Sequence, residues 1–208
     1  MSQFESMKLY QTSMTPSAMR VTLFLKEKGI EIPVEEINVR EGDNLKVEFQ
    51  AISANGRIPL LQLDDGSYLS ESIAICRYID ALSPDDKGLF GSDPKQKGLV
   101  EMWNRMVELQ GLMVGFQAFR NITGIYQDRE RVIPEWGEES KLRLGEFLPT
   151  LENRLAEAEY LAGEFSIADI SLWAMLKVVQ ALGIEWQSQY PNLQQWHQRL
   201  AKRPAFQA

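Results

Sequence analysis

With 208 residues, 44% of them hydrophobic and 10% aromatic, the chain is long enough to build one large packed core or two smaller ones. Its net charge of −7 divides as −5 over residues 1–85 and −2 over residues 86–208, so no segment carries the basic stripe that a nucleic-acid backbone demands. A lone cysteine, Cys76, and a lone histidine, His197, exclude an internal disulfide and a Cys/His metal cluster, and predict a reducing compartment and no structural metal.

Residues 1–7 have neither the basic start nor the apolar stretch of a secretory signal, which predicts a cytoplasmic address. Lys8-Leu9-Tyr10 opens a strand. Thr15-Pro16 reads as an N-cap followed by proline at the first helical position, and Ala18, Val21, Thr22 and Leu25 recur with helical spacing until Gly29 stops the run. Val34 to Val39 reads as a second strand and Ile58 to Leu63 as a third, with Asp65-Gly66 a tight turn into Tyr68-Leu69. From Ser72 onward, Ile75, Cys76, Ile79 and Leu82 mark one face of a helix. The order βαβ then ββα is that of a thioredoxin-like α/β domain over residues 1–82.

Ser83-Pro84-Asp85-Asp86-Lys87-Gly88 and Ser92-Asp93-Pro94 then punctuate the pattern, predicting a linker over residues 83–93. Strand signals cease beyond it, so residues 94–208 read as an all-α helical bundle. The expected helices run from about Pro94 toward Thr123, from Glu138 to Glu159, from Ser166 to Leu182, and from Pro191 to near Arg203-Pro204. The most apolar segment, Ile170 to Leu182, is too short for a bilayer and is interrupted by Lys177 and Gln180, so it is a core helix and no membrane partner is expected. Ser166-Ile167-Ala168-Asp169 has capping-box spacing, with Phe165 and Ile170 at the positions of a hydrophobic staple. Asp169 is therefore expected to be structural rather than a general acid or base.

Asn55-Gly56-Arg57-Ile58-Pro59-Leu60-Leu61 and the later Glu71-Ser72 carry the functional signal. A proline entering a strand removes a ladder donor and sits at an edge, a bulge or a cis bend. It leaves the N–H and C=O of Ile58 free to pair with an extended peptide. Glu71-Ser72, where the next helix begins, offers a carboxylate to an ammonium group, and a hydroxyl and N-terminal amides to a carboxylate. Those are the needs of a γ-glutamyl tripeptide.

On these residues the chain resembles the cytosolic glutathione transferases. Leu161-Ala162-Gly163 followed by the capping box is similar to the family's C-terminal motif, so the likeness spans both domains. The resemblance implies glutathione as co-substrate, no metal, a homodimer, and a role in detoxification. It implies that Ile58 holds the cysteinyl backbone beside cis Pro59, Glu71 the γ-glutamyl ammonium and Ser72 its carboxylate, with Arg57 as a further contact. Glu48-Phe49-Gln50-Ala51-Ile52-Ser53-Ala54 is similar to a family stretch ending in Asn-Pro, so Ser53-Ala54 is expected to alter a turn without removing the site.

The family activates a thiol, because the thiolate is the nucleophile. Counting back from Arg20-Val21, the serine of the serine-type classes falls on Thr15, the first candidate for the activating hydroxyl. Ser17 and Tyr10 are alternatives. Thr15-Pro16 also resembles a bacterial branch with Thr-Pro-Asn here, whose members often reduce disulfides, although Ser17 replaces the asparagine. A plain helix cap is the blander role for Thr15, and the two roles are compatible.

The second substrate, a small hydrophobic electrophile or a disulfide, is expected between Met14 and a helix face bearing Met106, Leu109, Met113, Phe116 and Arg120. The competing reading puts these side chains in the bundle core and Arg120 in a surface ion pair. Cys76 lies on an apolar helix face and reads as inert packing, and His197 as a surface residue. The alternative function is a noncatalytic, protein-binding relative, against which Glu71-Ser72 and the available hydroxyl argue.

Overall fold

The first unit is organised around strand β1 (Lys8–Gln11), whose Leu9, Tyr10 and Gln11 are buried, in the computed structural model, which describes residues 3–84 and 87–207. With β2 (Val34–Glu36), β3 (Leu60–Gln62) and β4 (Tyr68–Ser70) it forms a sheet of order β2-β1-β3-β4. Strand β1 runs parallel to β2 and antiparallel to β3, which in turn pairs antiparallel with β4. This is a thioredoxin-like α/β arrangement. Both long strands expected from the sequence are shorter. Beyond Ile37, the Asn38 N–H turns to the Asp43 carboxylate at 3.0 Å, and Pro59 has no N–H to extend β3 backward.

Helix α1 (Pro16–Lys28) starts where Thr15, in extended geometry, accepts the Ala18 N–H on its hydroxyl, and it ends at Gly29 with φ 68°. A short helix, α2 (Val47–Gln50), was not evident in the sequence. It carries Phe49 into a core cluster with Tyr10, Ile37 and Leu60. Helix α3 (Ser72–Leu82) buries Ile75, Cys76 and Ile79. Lys28 at the end of α1 donates to Asp80 at 2.9 Å and to the Ser83 carbonyl at 2.6 Å, tethering the ends of α1 and α3. Cys76 is fully buried and desolvation pushes its thiol pKa up, so it is inert packing as expected.

Contacts within the chain separate Met1–Asp85 from Asp86–Ala208. Asp85 and Asp86 of the expected linker lie outside the described residues. Later in that stretch Leu89 and Phe90 are buried, and the Leu89 carbonyl accepts the Ile167 N–H at 2.9 Å. The second unit is helical: α4 (Pro94–Met106), α5 (Met113–Thr123), α6 (Pro134–Glu157), α7 (Ile167–Ala181) and α8 (Pro191–Leu200). Between α4 and α5 the expected continuous helix widens into a π-helical stretch, Val107–Leu112. There a side chain at Gly111 would place its Cβ 2.1 Å from the Met175 sulfur, so glycine permits the close approach to α7.

In α7 every side chain from Ile167 to Val179 is buried except Lys177, which makes it the core helix. Its first turn is capped by Asp169, which is fully buried. This carboxylate accepts the Ser166 N–H (3.0 Å), the Ser166 hydroxyl (3.2 Å), the Leu161 N–H (3.1 Å) and the Trp196 indole N–H (2.9 Å). Phe165 meets the rings of Tyr160 and Phe206 edge-on. The expectation of a surface His197 is corrected: its ring is half-buried and stacks on Trp173, centroids 4.3 Å apart, with Trp186 against its edge. Helix α8 is polar in composition, but Leu193, Trp196 and Leu200 anchor it, and His197 follows Trp196 into the aromatic cluster.

Candidate functional site

The strand register gathers three segments at one edge of the sheet. Leu60 pairs with Tyr10 on one side and Ser70 on the other. The chain leaving β1 toward α1, the chain entering β3 through Ile58-Pro59, and the chain leaving β4 toward α3 therefore lie side by side. Two helix N-termini, α1 and α3, open at this edge.

In the first segment the Thr15 hydroxyl donates to the Thr12 carbonyl at 2.9 Å while accepting the Ala18 N–H at 3.4 Å. Ser17, one residue into the helix, is half-buried, and its hydroxyl makes no hydrogen bond among the described residues. Met14 is 88% exposed. Tyr10 stands apart, inside β1. Its ring meets Phe49 edge-on at 6.3 Å, its hydroxyl donates to Gln62 at 3.2 Å, and burial raises its pKa.

The second segment contains the cis Ile58-Pro59 bond. The N–H and C=O of Ile58 make no hydrogen bond among the described residues. Arg57 is exposed; its N–H donates to the Asn55 side chain at 3.0 Å, and its carbonyl accepts the Ser53 hydroxyl at 3.4 Å. Buried Ser53 thus braces the turn in which Ser53-Ala54 stands.

In the third segment Glu71 has φ 69° and ψ 114°, the positive-φ non-glycine residue among those described. A Cβ at such a φ costs about 1–3 kcal/mol, so the surrounding structure holds this backbone against its preference. The Glu71 carboxylate accepts an N–H from Asn55 at 3.3 Å. Ser72 is buried with a hydroxyl that makes no hydrogen bond among the described residues. The helix ladder begins with Ile75 N–H to Glu71 C=O at 2.9 Å, leaving the earlier amides of α3 at the site edge. Asn55 was legible as a turn residue but not as the partner of Glu71, because nothing local links positions 16 apart.

The remaining candidates lie in the helical unit. Its interior takes Val100, Asn104, Val107, Gly111, Leu112, Gly115 and Ala118 from the α4–α5 helix. Met106, Leu109, Met113, Phe116 and Arg120 fall outside that face: within this unit Leu109 and Met113 are exposed and the other three half-buried. Arg120 bridges to Glu130 at 2.6 Å and lies 5.1 Å from the centre of the Tyr126 ring, so the surface ion pair is present. Among the described residues no group of three or more His, Cys, Asp or Glu side chains is arranged to hold a metal ion. Among them, too, no helix is long and apolar enough to cross a membrane.

The comparisons with known proteins agree with this geometry. Residues 15–82 match the family model for the glutathione S-transferase N-terminal domain, and residues 135–204 the model for the C-terminal domain. The chain is similar to glutathione S-transferase 2 of Saccharomyces cerevisiae, at 31% identity over 97% of this chain and 88% of that protein. It is 28% identical to the disulfide-bond oxidoreductase YfcG of Escherichia coli, over 92% and 88% of the two chains. The crystal structure of a class Gtt2 glutathione S-transferase from Vibrio parahaemolyticus superimposes with a TM-score of 0.87 at 50% identity, covering 97% of this chain and 96% of that one.

Proposed function

We propose, since the chain belongs to the glutathione S-transferase family, that it binds glutathione along the sheet edge of its first unit and ionises the thiol there. The thiolate then attacks a small hydrophobic electrophile or a disulfide. The observation that carries the reading is the juxtaposition of two helix N-termini with the unpaired backbone of Ile58 between them. Ile58 beside Pro59 offers one donor and one acceptor to the cysteinyl residue, as a strand partner does. Glu71 takes the γ-glutamyl ammonium, and Ser72 with the first amides of α3 takes the carboxylate. Arg57 reaches the tripeptide from the adjoining turn.

A free thiol has a pKa near ~8.5, so most of it is protonated at neutral pH. The Thr15 hydroxyl, turned from the Thr12 carbonyl toward sulfur, and the positive end of the α1 helix favour the anion. Ser17 is the alternative donor, supported by its uncommitted hydroxyl. Tyr10 is the weakest of the three, because its ring is held in the core and its hydroxyl by Gln62. In the helical unit the exposed stripe through Leu109 and Met113 supplies apolar contacts for the second substrate. The likeness to a disulfide-bond oxidoreductase supports disulfides beside electrophiles as substrates.

Titration of the thiolate absorbance of bound glutathione tests the assignment. Thr15→Ala is expected to leave glutathione affinity nearly intact and to raise the bound thiol's pKa by about one to two units, the equivalent of one hydrogen bond to a charged group. Thr15→Ser retains most of the effect. A shift confined to Ser17→Ala moves the role to Ser17, and no shift in either variant removes the hydroxyl from the mechanism. Binding without turnover across haloaromatic, disulfide and hydroperoxide substrates would favour the protein-binding alternative.

A two-fold homodimer is part of the same reading. Light scattering at micromolar concentration is expected to give twice the 23.8 kDa chain mass, and a monomer would contradict it.

A further inference from the structure

We propose that Glu36 is a positioning residue for the thiol-activating loop, acting through Ser13 and Thr12 on the Thr15 hydroxyl. The inference rests on the glutathione reading above. Glu36 ends β2 and pairs with Gln11, the last residue of β1, so it stands beside the point where the loop leaves the sheet. Both of its carboxylate oxygens are used by one residue. Oε2 accepts the Ser13 N–H at 3.1 Å, and Oε1 accepts the Ser13 hydroxyl.

The chain of bonds continues inward. Ser13 Oγ accepts the side-chain amide of buried Gln11 at 3.1 Å, and Gln11 Oε1 accepts the Thr22 hydroxyl at 3.3 Å, which ties the loop to the second turn of α1. The neighbouring Thr12 is held from the same strand end, its hydroxyl donating to the Ile37 carbonyl. Ile37 in turn donates its N–H to the Gln11 carbonyl at 2.7 Å. Thr12 and Ser13 are thus fixed at successive positions from the β2 side. The Thr12 carbonyl then accepts both the N–H and the hydroxyl of Thr15, each at 2.9 Å; when the hydroxyl turns to the sulfur, the N–H bond remains and is the link that holds Thr15 in place. The hydroxyl assigned to the sulfur stands at the end of a chain of contacts that begins at Glu36.

Charge and position predict opposite signs for the removal of Glu36. If the carboxylate acted as a nearby negative charge alone, removing it would ease thiol ionisation and lower the bound thiol's pKa. If it positions the loop, removing it disorders the approach of Thr15 and raises that pKa. The experiment is thiolate titration, glutathione calorimetry and steady-state kinetics on the full chain. The proteins are wild type, Glu36→Ala, Glu36→Gln, Ser13→Ala, Thr15→Ala and the double variant Glu36→Ala/Thr15→Ala.

Glu36→Ala is expected to raise the bound thiol's pKa and lower kcat about tenfold, as a small misplacement of a reacting group does. Its glutathione Kd should change by less than about twofold, because the tripeptide contacts lie on other segments. Glu36→Gln, uncharged but still an acceptor, should restore most of the rate. The double variant should be no worse than Thr15→Ala, because both changes remove the same positioned hydroxyl. A lowered or unchanged thiol pKa in Glu36→Ala, equal losses in the alanine and glutamine variants, or additive losses in the double variant would overturn the inference. Should Glu36→Ala fail to fold, Ser13→Ala carries the test, with a raised thiol pKa expected and an unchanged one overturning it. A Thr15→Ala protein with no thiol shift marks failure of the underlying hydroxyl assignment, whereas a shift in Thr15→Ala without one in Glu36→Ala sinks this inference alone.

Discussion

Asp169→Ala is expected to destabilise the helical unit by about 3–5 kcal/mol, the range for deleting one side of a buried, charged hydrogen-bond cluster. The carboxylate is fully buried and accepts from four donors. The alanine variant leaves the N–H groups of Leu161 and Ser166 and the indole of Trp196 without the acceptor they share. A simple N-cap loss would cost about 0.5–2 kcal/mol, so a larger value separates the cluster from a cap. All five tryptophans, Trp103, Trp136, Trp173, Trp186 and Trp196, lie beyond residue 86. Urea unfolding followed by tryptophan fluorescence therefore reads this unit directly. Asp169→Asn should fall between wild type and alanine, because one amide oxygen can keep Leu161 and Trp196 while the amide nitrogen faces the Ser166 N–H. A loss below about 2 kcal/mol in Asp169→Ala would reduce the residue to a cap.

The same group predicts a pH dependence. Burial raises the Asp169 pKa from 3.8 to about 6, although its four donors pull the other way. Because the folded state holds this proton more tightly than the unfolded state, the contribution is fully present below about pH 4 and lost as pH rises through about 6. Stability of the helical unit in Asp169→Asn should lack that component, and an identical pH slope in both proteins would remove Asp169 as its source.

Much of this was legible because it is local. Thr15-Pro16 and Gly29 bracket α1, Asp65-Gly66 turns into β4, and Ser166 to Asp169 announce α7, each within a few residues. Long-range pairings were not legible. The sequence gives no hint that Trp196 completes the Asp169 cluster, that Asn55 holds Glu71, or that Glu36 fixes Ser13, because each joins residues 16 to 27 apart. His197 was misread for the same reason: its helix is polar in sequence, and Trp173, 24 positions earlier, decides where the ring goes. The π-helical stretch was hidden because its wider turn breaks the 3.6-residue period used to find helices. The stripe from Met106 to Arg120 was nevertheless readable as one face, and it lies outside the buried face of its unit.

Glu71→Ala is expected to weaken glutathione binding by about 1.5–3 kcal/mol, or roughly 10- to 150-fold, without loss of fold. Alanine is the informative choice because it keeps a Cβ at φ 69° and so leaves the backbone cost unchanged. Any loss then belongs to the carboxylate. Glycine removes the carboxylate and the backbone cost together, so Glu71→Gly should bind as weakly as alanine while gaining about 1 kcal/mol or more of stability. A residue kept at such a φ for packing alone would show the stability gain with no binding loss. Isothermal calorimetry with glutathione and with its N-acetylated form separates the remaining possibilities. If Glu71 pairs with the ammonium, acetylation should weaken binding to the wild type and add little in Glu71→Ala, since each change removes one side of the same pair. Equal weakening by acetylation in both proteins would place the ammonium elsewhere, and unchanged affinity of folded Glu71→Ala would remove Glu71 from the site.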